Sequence, residues 1–309
     1  MPIVKNKNRF LQYEMWKDCH LGCKFCCNKG QKDLDKVESL KFILEKMNDS
    51  EVNNYNEIGF IGGEFFDREI ADEKVKELFY KVFDRCAELV HQGIMTKVYF
   101  TTALIYDMDK LLIPFLNHLR EIGILDKCLL CTSYDIMYRF HTEERENLWK
   151  SNMLRLHKEY PELLVHTETI ITQAFINAVL EDRFSITEFC KKYHTRMDYI
   201  EPGSGLYYHD KTDCSKDMPL FFPTKSSYIK FLKKTVANKE IELESFLSME
   251  LRSSKLYYID VGQRFVLDDR RSTEGRGNSH DPSKKYEIGF IDSDDKMVDI
   301  ARELLSIIG

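Results

Sequence analysis

The 309-residue sequence has no apolar run long enough to span a membrane, and no signal peptide is recognisable at its start. It also has little excess charge, since 45 Lys and Arg stand against 51 Asp and Glu and leave a formal net charge of −6 at pH 7. These absences argue against a membrane protein and against broad binding of nucleic acid, which needs a basic surface. They do not exclude a local basic pocket. The length fits two domains, or one barrel with an appendage.

A disulfide framework is not expected either, because the nine cysteines are odd in number, four of them are bunched, and no export signal is present. They are Cys19, Cys23, Cys26, Cys27, Cys86, Cys128, Cys131, Cys190 and Cys214. Reduced thiols in a cytoplasm-like compartment fit this pattern better, so we expect a cytoplasmic protein.

One short stretch concentrates the chemistry. Cys19, Cys23 and Cys26 follow one another at spacings of four and three residues, and Phe25 precedes the third cysteine. Cysteine thiolates are the usual ligands of iron–sulfur clusters. Three thiols can hold three corners of a four-iron cluster and leave one iron open, which is how a metal site does chemistry rather than only holding a fold together. The alternative is a structural zinc site, with His20 or Cys27 as the fourth ligand.

Six predicted strands alternate with helical segments over the first two hundred residues. The strands cover residues 10–17, 57–64, 97–105, 128–136, 163–172 and 197–201, and the helices cover 37–47, 71–92, 107–122, 142–159 and 173–193. This alternation favours a parallel sheet with crossover helices, which right-handed crossovers would curl into a barrel or part of one. The sequence therefore predicts an α/β protein with a partial (β/α)6 TIM-like barrel, whose chemistry lies at the carboxyl ends of the strands.

The regular alternation of strands and helices ends after Pro202. We therefore divide the chain into a barrel of residues 1–202 and a small α+β extension of residues 203–309. Within the extension we predict a helix over 224–236, a hairpin over 255–268, a strand over 286–291 and a last helix over 295–308.

Four motifs resemble those of radical S-adenosylmethionine enzymes. The cysteine loop with Phe25 resembles their cluster-binding loop, and Gly62-Gly63-Glu64 resembles their GGE motif. Thr101-Thr102 resembles their Thr-Thr-Asn-Gly text, although Ala103-Leu104 replaces Asn-Gly, and Ser133-Tyr134-Asp135 resembles their Ser-Leu-Asp. The resemblance covers residues 10–202 in order and spacing. A zinc site gives no role to the glycine motif.

The resemblance implies a [4Fe-4S] cluster on Cys19, Cys23 and Cys26, with S-adenosylmethionine on the open iron. Reductive cleavage would give a 5′-deoxyadenosyl radical that takes hydrogen from the substrate. The residues that would bind S-adenosylmethionine are Phe25 beside the adenine, Gly62, Gly63 and Glu64 at the methionyl ammonium, and Thr102 and Ser133 at the ribose and carboxylate. On the fifth strand we expect Thr167 and Thr169, rather than His166 and Glu168, to face the barrel interior. Thr169 is therefore a further candidate for binding S-adenosylmethionine. The electron donor would be flavodoxin or ferredoxin.

The hairpin beginning at residue 255 is similar to the one that opens the auxiliary-cluster (SPASM or twitch) domain of peptide-modifying radical enzymes. No cysteine follows Cys214, so such a domain would have lost its cluster. The substrate is then a peptide or protein side chain, or alternatively a nucleotide or nucleoside held by the basic residues at 270–285.

Cys214 could return a hydrogen atom to a substrate radical, or be a loop thiol without a chemical role. Cys128 and Cys131 are expected to face opposite sides of their strand as buried core thiols.

Overall fold

The computed structural model describes residues 10–16, 18–23, 35–66, 70, 72–136, 139–200, 223–241, 256–260 and 264–266. Several sequence predictions lie outside these residues: the roles of Phe25, Cys26 and Cys214, the strand over 286–291 and the helix over 295–308.

The described chain alternates strands and helices in the order that the sequence predicts. The strands are β1 (Phe10–Glu14), β2 (Glu57–Ile61), β3 (Lys97–Thr101), β4 (Cys128–Ser133), β5 (Leu164–Ile170), β6 (Arg196–Ile200), β7 (Leu256–Asp260) and β8 (Arg264–Val266). The helices are α1 (Lys36–Asn48), α2 (Glu73–His91), α3 (Leu112–Glu121), α4 (Glu143–Glu159), α5 (Gln173–Leu180), α6 (Ile186–Tyr193) and α7 (Lys225–Ala237). The predicted helix over 173–193 is two helices, separated at residues 181–185.

All eight strands form one sheet in the order β6-β5-β4-β3-β2-β1-β7-β8. Strands β1 to β6 are parallel and each pairs with its neighbour in sequence. Strand β7 pairs in parallel with β1, and β8 pairs with β7 in antiparallel fashion. The predicted hairpin is therefore confirmed, and it extends the same sheet beside β1.

Capping side chains fix where most helices begin. Asp35 accepts hydrogen bonds from the Val37 and Glu38 amides at the start of α1, and Asp72 caps α2 in the same way. Thr142, Thr172, Ser185 and Thr224 cap α4, α5, α6 and α7. Each cap satisfies amides that have no partner within the helix, and so sets the point at which the chain leaves a strand and turns back along it.

One face of the sheet packs against the helices. Tyr13, Phe60 and Phe100 share a row across β1, β2 and β3, and Phe60 and Phe100 meet Phe83 of α2 at ring-centroid distances of 4.9 and 6.0 Å. Further along, the Trp149 indole of α4 donates a hydrogen bond to Thr132 of β4. This helix face holds the hydrophobic core, because its side chains are almost all fully buried.

The opposite face of the sheet is polar, which is unusual for parallel strands, since these are normally covered by apolar layers on both sides. This polar face carries Gln12, Glu14, Glu57, Tyr99, Thr101, Cys131, Ser133, His166, Glu168 and Asp198, with apolar side chains such as Phe10, Leu129 and Ile170 among them. Most of these side chains are half-buried. A face of this kind suits contact with polar ligands better than packing against another apolar layer.

The expectation that Thr167 and Thr169 face away from the helices is wrong. Thr167 pairs with Thr132, which bonds to Trp149 of α4, so Thr167 and Thr169 belong to the helix face. His166 and Glu168 take the polar face instead.

None of the helices in the described part of the chain combines the length and apolar character needed to cross a bilayer.

Candidate functional site

The cysteine loop and the glycine motif are bonded to each other at the carboxyl ends of β1 and β2. The Gly63 amide donates to the Trp16 carbonyl at 2.7 Å, and the Glu64 amide donates to the Asp18 carbonyl at 3.2 Å. In return, the Trp16 indole donates to the Glu64 carbonyl at 3.2 Å. The chain entering Cys19 is therefore held directly against Gly62-Gly63-Glu64, as neighbouring parallel strands require.

Gly62 is glycine because of this close approach. Its φ is +151°, and a Cβ at this position would lie 2.1 Å from the Trp16 carbonyl oxygen. Real Cβ atoms do not approach backbone this closely, so any side chain would push the two strand ends apart. The contact with Trp16 thus explains why residue 62 is glycine, whether or not a ligand binds nearby.

The Glu64 carboxylate lies at the centre of a fully buried hydrogen-bond network. Oε1 accepts from the amides of Phe65 at 2.9 Å and Phe66 at 3.0 Å and from the Thr102 hydroxyl at 2.7 Å, while Oε2 accepts from the Ala103 amide at 2.6 Å. Burial raises the pKa of Glu64, although these bonds and the charge on Arg139 act in the opposite direction. Four donors leave this carboxylate little capacity for a further partner. It joins the end of β2 to the end of β3.

The turn after β3 takes a strained shape where the related motif has glycine. Leu104 has a φ of +56°, in the left-handed region that favours glycine, and its side chain is fully buried. Asn152 of α4 holds this turn by donating to the carbonyls of Leu104 at 3.1 Å and Tyr106 at 2.9 Å. The left-handed turn is therefore formed here without glycine.

A buried arginine follows β4. Arg139 is 9% exposed, and its Nη1 lies 4.0 Å from Oδ2 of Asp135, which is 3% exposed. Burial alone would lower the pKa of the Arg139 guanidinium, but its neighbours raise it above the ordinary value. In decreasing order of effect, these neighbours are Cys23, Asp135, Glu64 and Cys19. Residues of the cysteine loop and of the glycine motif thus raise the pKa of this guanidinium.

Two buried polar atoms of this pair have no hydrogen-bond partner among the described residues. They are Nε of Arg139 and Oδ2 of Asp135. Asp135 does accept from the Ile170 amide through Oδ1 at 3.0 Å, and burial is the main reason why its pKa rises to about 6. Leaving a polar group buried without a partner costs about 1–3 kcal/mol, so these two atoms of one ion pair are available to a ligand.

Two further side chains tie the loop after β4 to the cysteine loop. His141 lies with Nε2 3.0 Å from the Gly22 carbonyl, and Arg145 donates from Nη1 to the Leu21 carbonyl at 3.2 Å. Sequence reasoning missed Arg139, His141 and Arg145. The only signal for them was three basic side chains within the ten residues after Asp135.

The structure brings part of the predicted site together. Cys19 is half-buried and Cys23 is 7% exposed, and the chain just before Cys19 is bonded to Gly63 and Glu64. Thr102 bonds to Glu64, and Ser133 ends β4 on the polar face. Thr169 is 1% exposed on the helix face, and Phe25, Cys26 and Cys214 lie outside the described residues. Within the described ranges, no group of three or more His, Cys, Asp or Glu is placed to hold a metal ion.

Comparisons with known proteins add no family assignment: no family model matches the chain, and no curated protein matches it significantly.

Proposed function

We propose that the chain is a radical S-adenosylmethionine enzyme, with Cys19, Cys23 and Cys26 as ligands of a [4Fe-4S] cluster. The observation that carries the proposal is that the chain entering the cysteine loop is bonded to the glycine motif, through the Gly63 amide to Trp16 and the Glu64 amide to Asp18. The buried Arg139 guanidinium adds support, since Cys23 and Cys19 are among the neighbours that raise its pKa. A cation in this place suits a cluster held by thiolates, because it offsets negative charge that burial would otherwise penalise.

The residues present fit the cofactors. Cys19 and Cys23 supply thiolate ligands, and the third ligand would come from Cys26. The unpartnered atoms of Arg139 and Asp135 match a zwitterionic ligand such as S-adenosylmethionine, whose methionyl part offers a carboxylate and an ammonium group. When bound, the cofactors supply an electron and a 5′-deoxyadenosyl radical that takes hydrogen from the substrate.

The protein's own part is to position and to shield. Glu64 and Thr102 lock the ends of β2 and β3, so the backbone of Gly62 and Gly63 is presented in one fixed geometry. Arg139 binds the anionic part of the ligand and Asp135 its cationic part. Leu21 and Trp16 are 4% and 3% exposed, and such apolar cover excludes water from the site.

We infer a partial (β/α)6 TIM-like barrel from the arrangement of β1 to β6. Their consecutive order, the helices on one face and the polar side chains on the other support a sheet that curls around a ligand-binding interior. The barrel would comprise residues 1–202 and the extension residues 203–309, with β7 and β8 added at the β1 edge.

We propose a peptide or protein side chain as the substrate, because the β7–β8 hairpin is present where the related auxiliary domain begins. A nucleotide or nucleoside is the alternative substrate.

The electron donor would be flavodoxin or ferredoxin, and the protein would act in the cytoplasm.

The experiment is metal analysis of protein purified without oxygen. The proposal predicts a brown protein with about four irons per chain. A colourless protein with one zinc would contradict it and favour a zinc-stabilised binding module.

A further inference from the structure

A second group of reactive side chains lies across three neighbouring strands of the polar face. Cys131 of β4 is directly opposite His166 of β5 in the parallel register. Both lie on the polar face, because their neighbours Thr132 and Thr167 lie on the helix face. Paired strands are about 4.8 Å apart, so the thiol and the imidazole are adjacent side chains.

The imidazole is oriented by a carboxylate. Nδ1 of His166 lies 2.8 Å from Oδ2 of Asp198 on β6. An ionised carboxylate can only accept, so Nδ1 carries the proton and Nε2 of the neutral ring keeps its lone pair. Nε of Arg196 lies 3.1 Å from the other carboxylate oxygen, which favours the ionised form of Asp198. His166 is therefore a base whose tautomer is fixed by its partner.

The group is open to small molecules. Cys131 is half-buried, and the side chains of His166 and Asp198 are 17% and 20% exposed. His166, though not Cys131, also lines an open cavity of about 160 Å³, together with Lys97, Tyr99 and Leu129. Sequence reasoning expected Cys131 to be a buried core thiol, which is wrong for this residue and correct for Cys128.

We propose that Cys131 is a reactive nucleophilic thiol, activated by the His166–Asp198 pair, that bonds covalently to small molecules with an electrophilic carbon. Thiols are generally activated by an arrangement of three groups: the nucleophile, a base beside it, and a third group that orients the base. The thiol proton moves to Nε2 of His166, and the thiolate attacks the carbon. As the sulfur–carbon bond forms, the bond to the leaving group breaks and its electron pair departs with that group. The step needs no oxidant or reductant and no cluster, so it is independent of the proposed function.

The charged and titratable groups facing this thiol on the described strands are few. Glu168 is the next polar-face residue on β5, and Asp198 and Arg196 lie on β6. On β3, Lys97 and Tyr99 lie on the same face, and the Tyr99 hydroxyl donates to Glu57 at 2.9 Å. The negative charge of Glu168 opposes ionisation of the thiol, so activation depends on His166.

The test is the rate at which iodoacetamide alkylates each cysteine of the full-length, reduced protein, mapped peptide by peptide across the neutral pH range. Cys190 is the internal reference, because it is also half-buried and burial raises its pKa. In the wild type, Cys131 should react at least about tenfold faster than Cys190, as one pKa unit gives a tenfold change in thiolate. His166→Gln keeps a donor for Asp198, and should slow Cys131 about tenfold without changing Cys190.

His91→Gln, on α2, is the matched control and should leave both rates unchanged. Asp198→Asn is a second variant that keeps the imidazole, and should also slow Cys131. Circular dichroism checks that each variant is folded. The proposal is overturned if Cys131 in the wild type reacts no faster than Cys190. It is equally overturned if folded His166→Gln or Asp198→Asn protein reacts at the wild-type rate at every pH.

Discussion

The Thr102 hydroxyl donates to the Glu64 carboxylate at 2.7 Å and joins the ends of two neighbouring strands inside the candidate site. Tyr106 extends the pair, since its hydroxyl lies 2.5 Å from that of Thr102. The glycine motif is therefore held from β3 as well as from β1, and the local geometry does not depend on a bound ligand.

Glu64→Gln should destabilise the protein by about 2–4 kcal/mol, because the amide group would place N–H donors against amides that now donate to the carboxylate. Urea unfolding measures this. Glu77→Gln is the matched control, since Glu77 pairs with Lys81 on the exposed surface of α2 and should change stability by less than about 0.5 kcal/mol. Equal effects of the two substitutions would contradict the structural role of Glu64.

Asp135 should make stability depend on pH. Its pKa is about 6 in the folded chain, against an ordinary 3.8, and burial is the main cause. Between these values the folded state binds more protons than the unfolded state, so stability falls as pH rises through this window. From about pH 5 to about pH 7 this group alone should cost about 1 kcal/mol.

Asp135→Asn removes that dependence. The free energy of unfolding of the variant, relative to wild type, should therefore rise by about 1 kcal/mol over the same interval. Asp107→Asn, at an exposed carboxylate, should show no such trend. If the Asp135→Asn difference is constant with pH, Asp135 is already ionised at low pH and the assignment fails.

Gly62→Ala should cost at least about 3 kcal/mol, because the new Cβ would meet the Trp16 carbonyl and break the bond from Gly63. Gly93→Ala is the matched control. Gly93 also has a positive φ, +70°, but nothing lies within 4 Å of its would-be Cβ, so only the backbone cost of about 1 kcal/mol applies. Thermal or urea unfolding that ranks the two variants equally would show that the Trp16 contact carries no weight.

If Cys19, Cys23 and Cys26 hold the proposed [4Fe-4S] cluster, Arg139→Gln should weaken iron retention and lower the midpoint potential of the cluster, because reduction adds negative charge where a cation has been removed. A shift on the order of 60 mV is expected, equal to a tenfold change in a one-electron equilibrium. Redox titration followed by electron paramagnetic resonance measures it. Arg139→Lys should restore part of the potential, and Arg155→Gln, on the outer surface of α4, should have no effect. An unchanged midpoint potential in Arg139→Gln would show that this arginine has no electrostatic effect on the cluster.

The fold could be predicted because alternation of apolar strands and amphipathic helices is a local signal. Most of the predicted elements lie within a few residues of the observed ones, as for α4 and β5. The face that each strand turns to the helices is not local. On β5, alternation shows that Thr167 and His166 lie on opposite faces, but not which of them faces the helices. The Trp149–Thr132 contact shows that Thr167 does.

Part of the candidate site was beyond sequence reasoning for the same reason. The cysteine loop and the glycine motif carry their own patterns, but Arg139 acts on Cys23 from more than one hundred residues away. Nor does the sequence reveal that the Glu64 carboxylate is filled by donors of its own chain. Such partners follow from strand order and register, which place the ends of β2, β3 and β4 side by side.

Formation of 5′-deoxyadenosine tests the central claim most directly. Iron-loaded protein incubated with S-adenosylmethionine and dithionite should form it, and the combined variant Cys19→Ala, Cys23→Ala and Cys26→Ala should form none. If the iron-loaded wild type forms none, or if the triple variant forms as much, the protein is not the radical enzyme proposed.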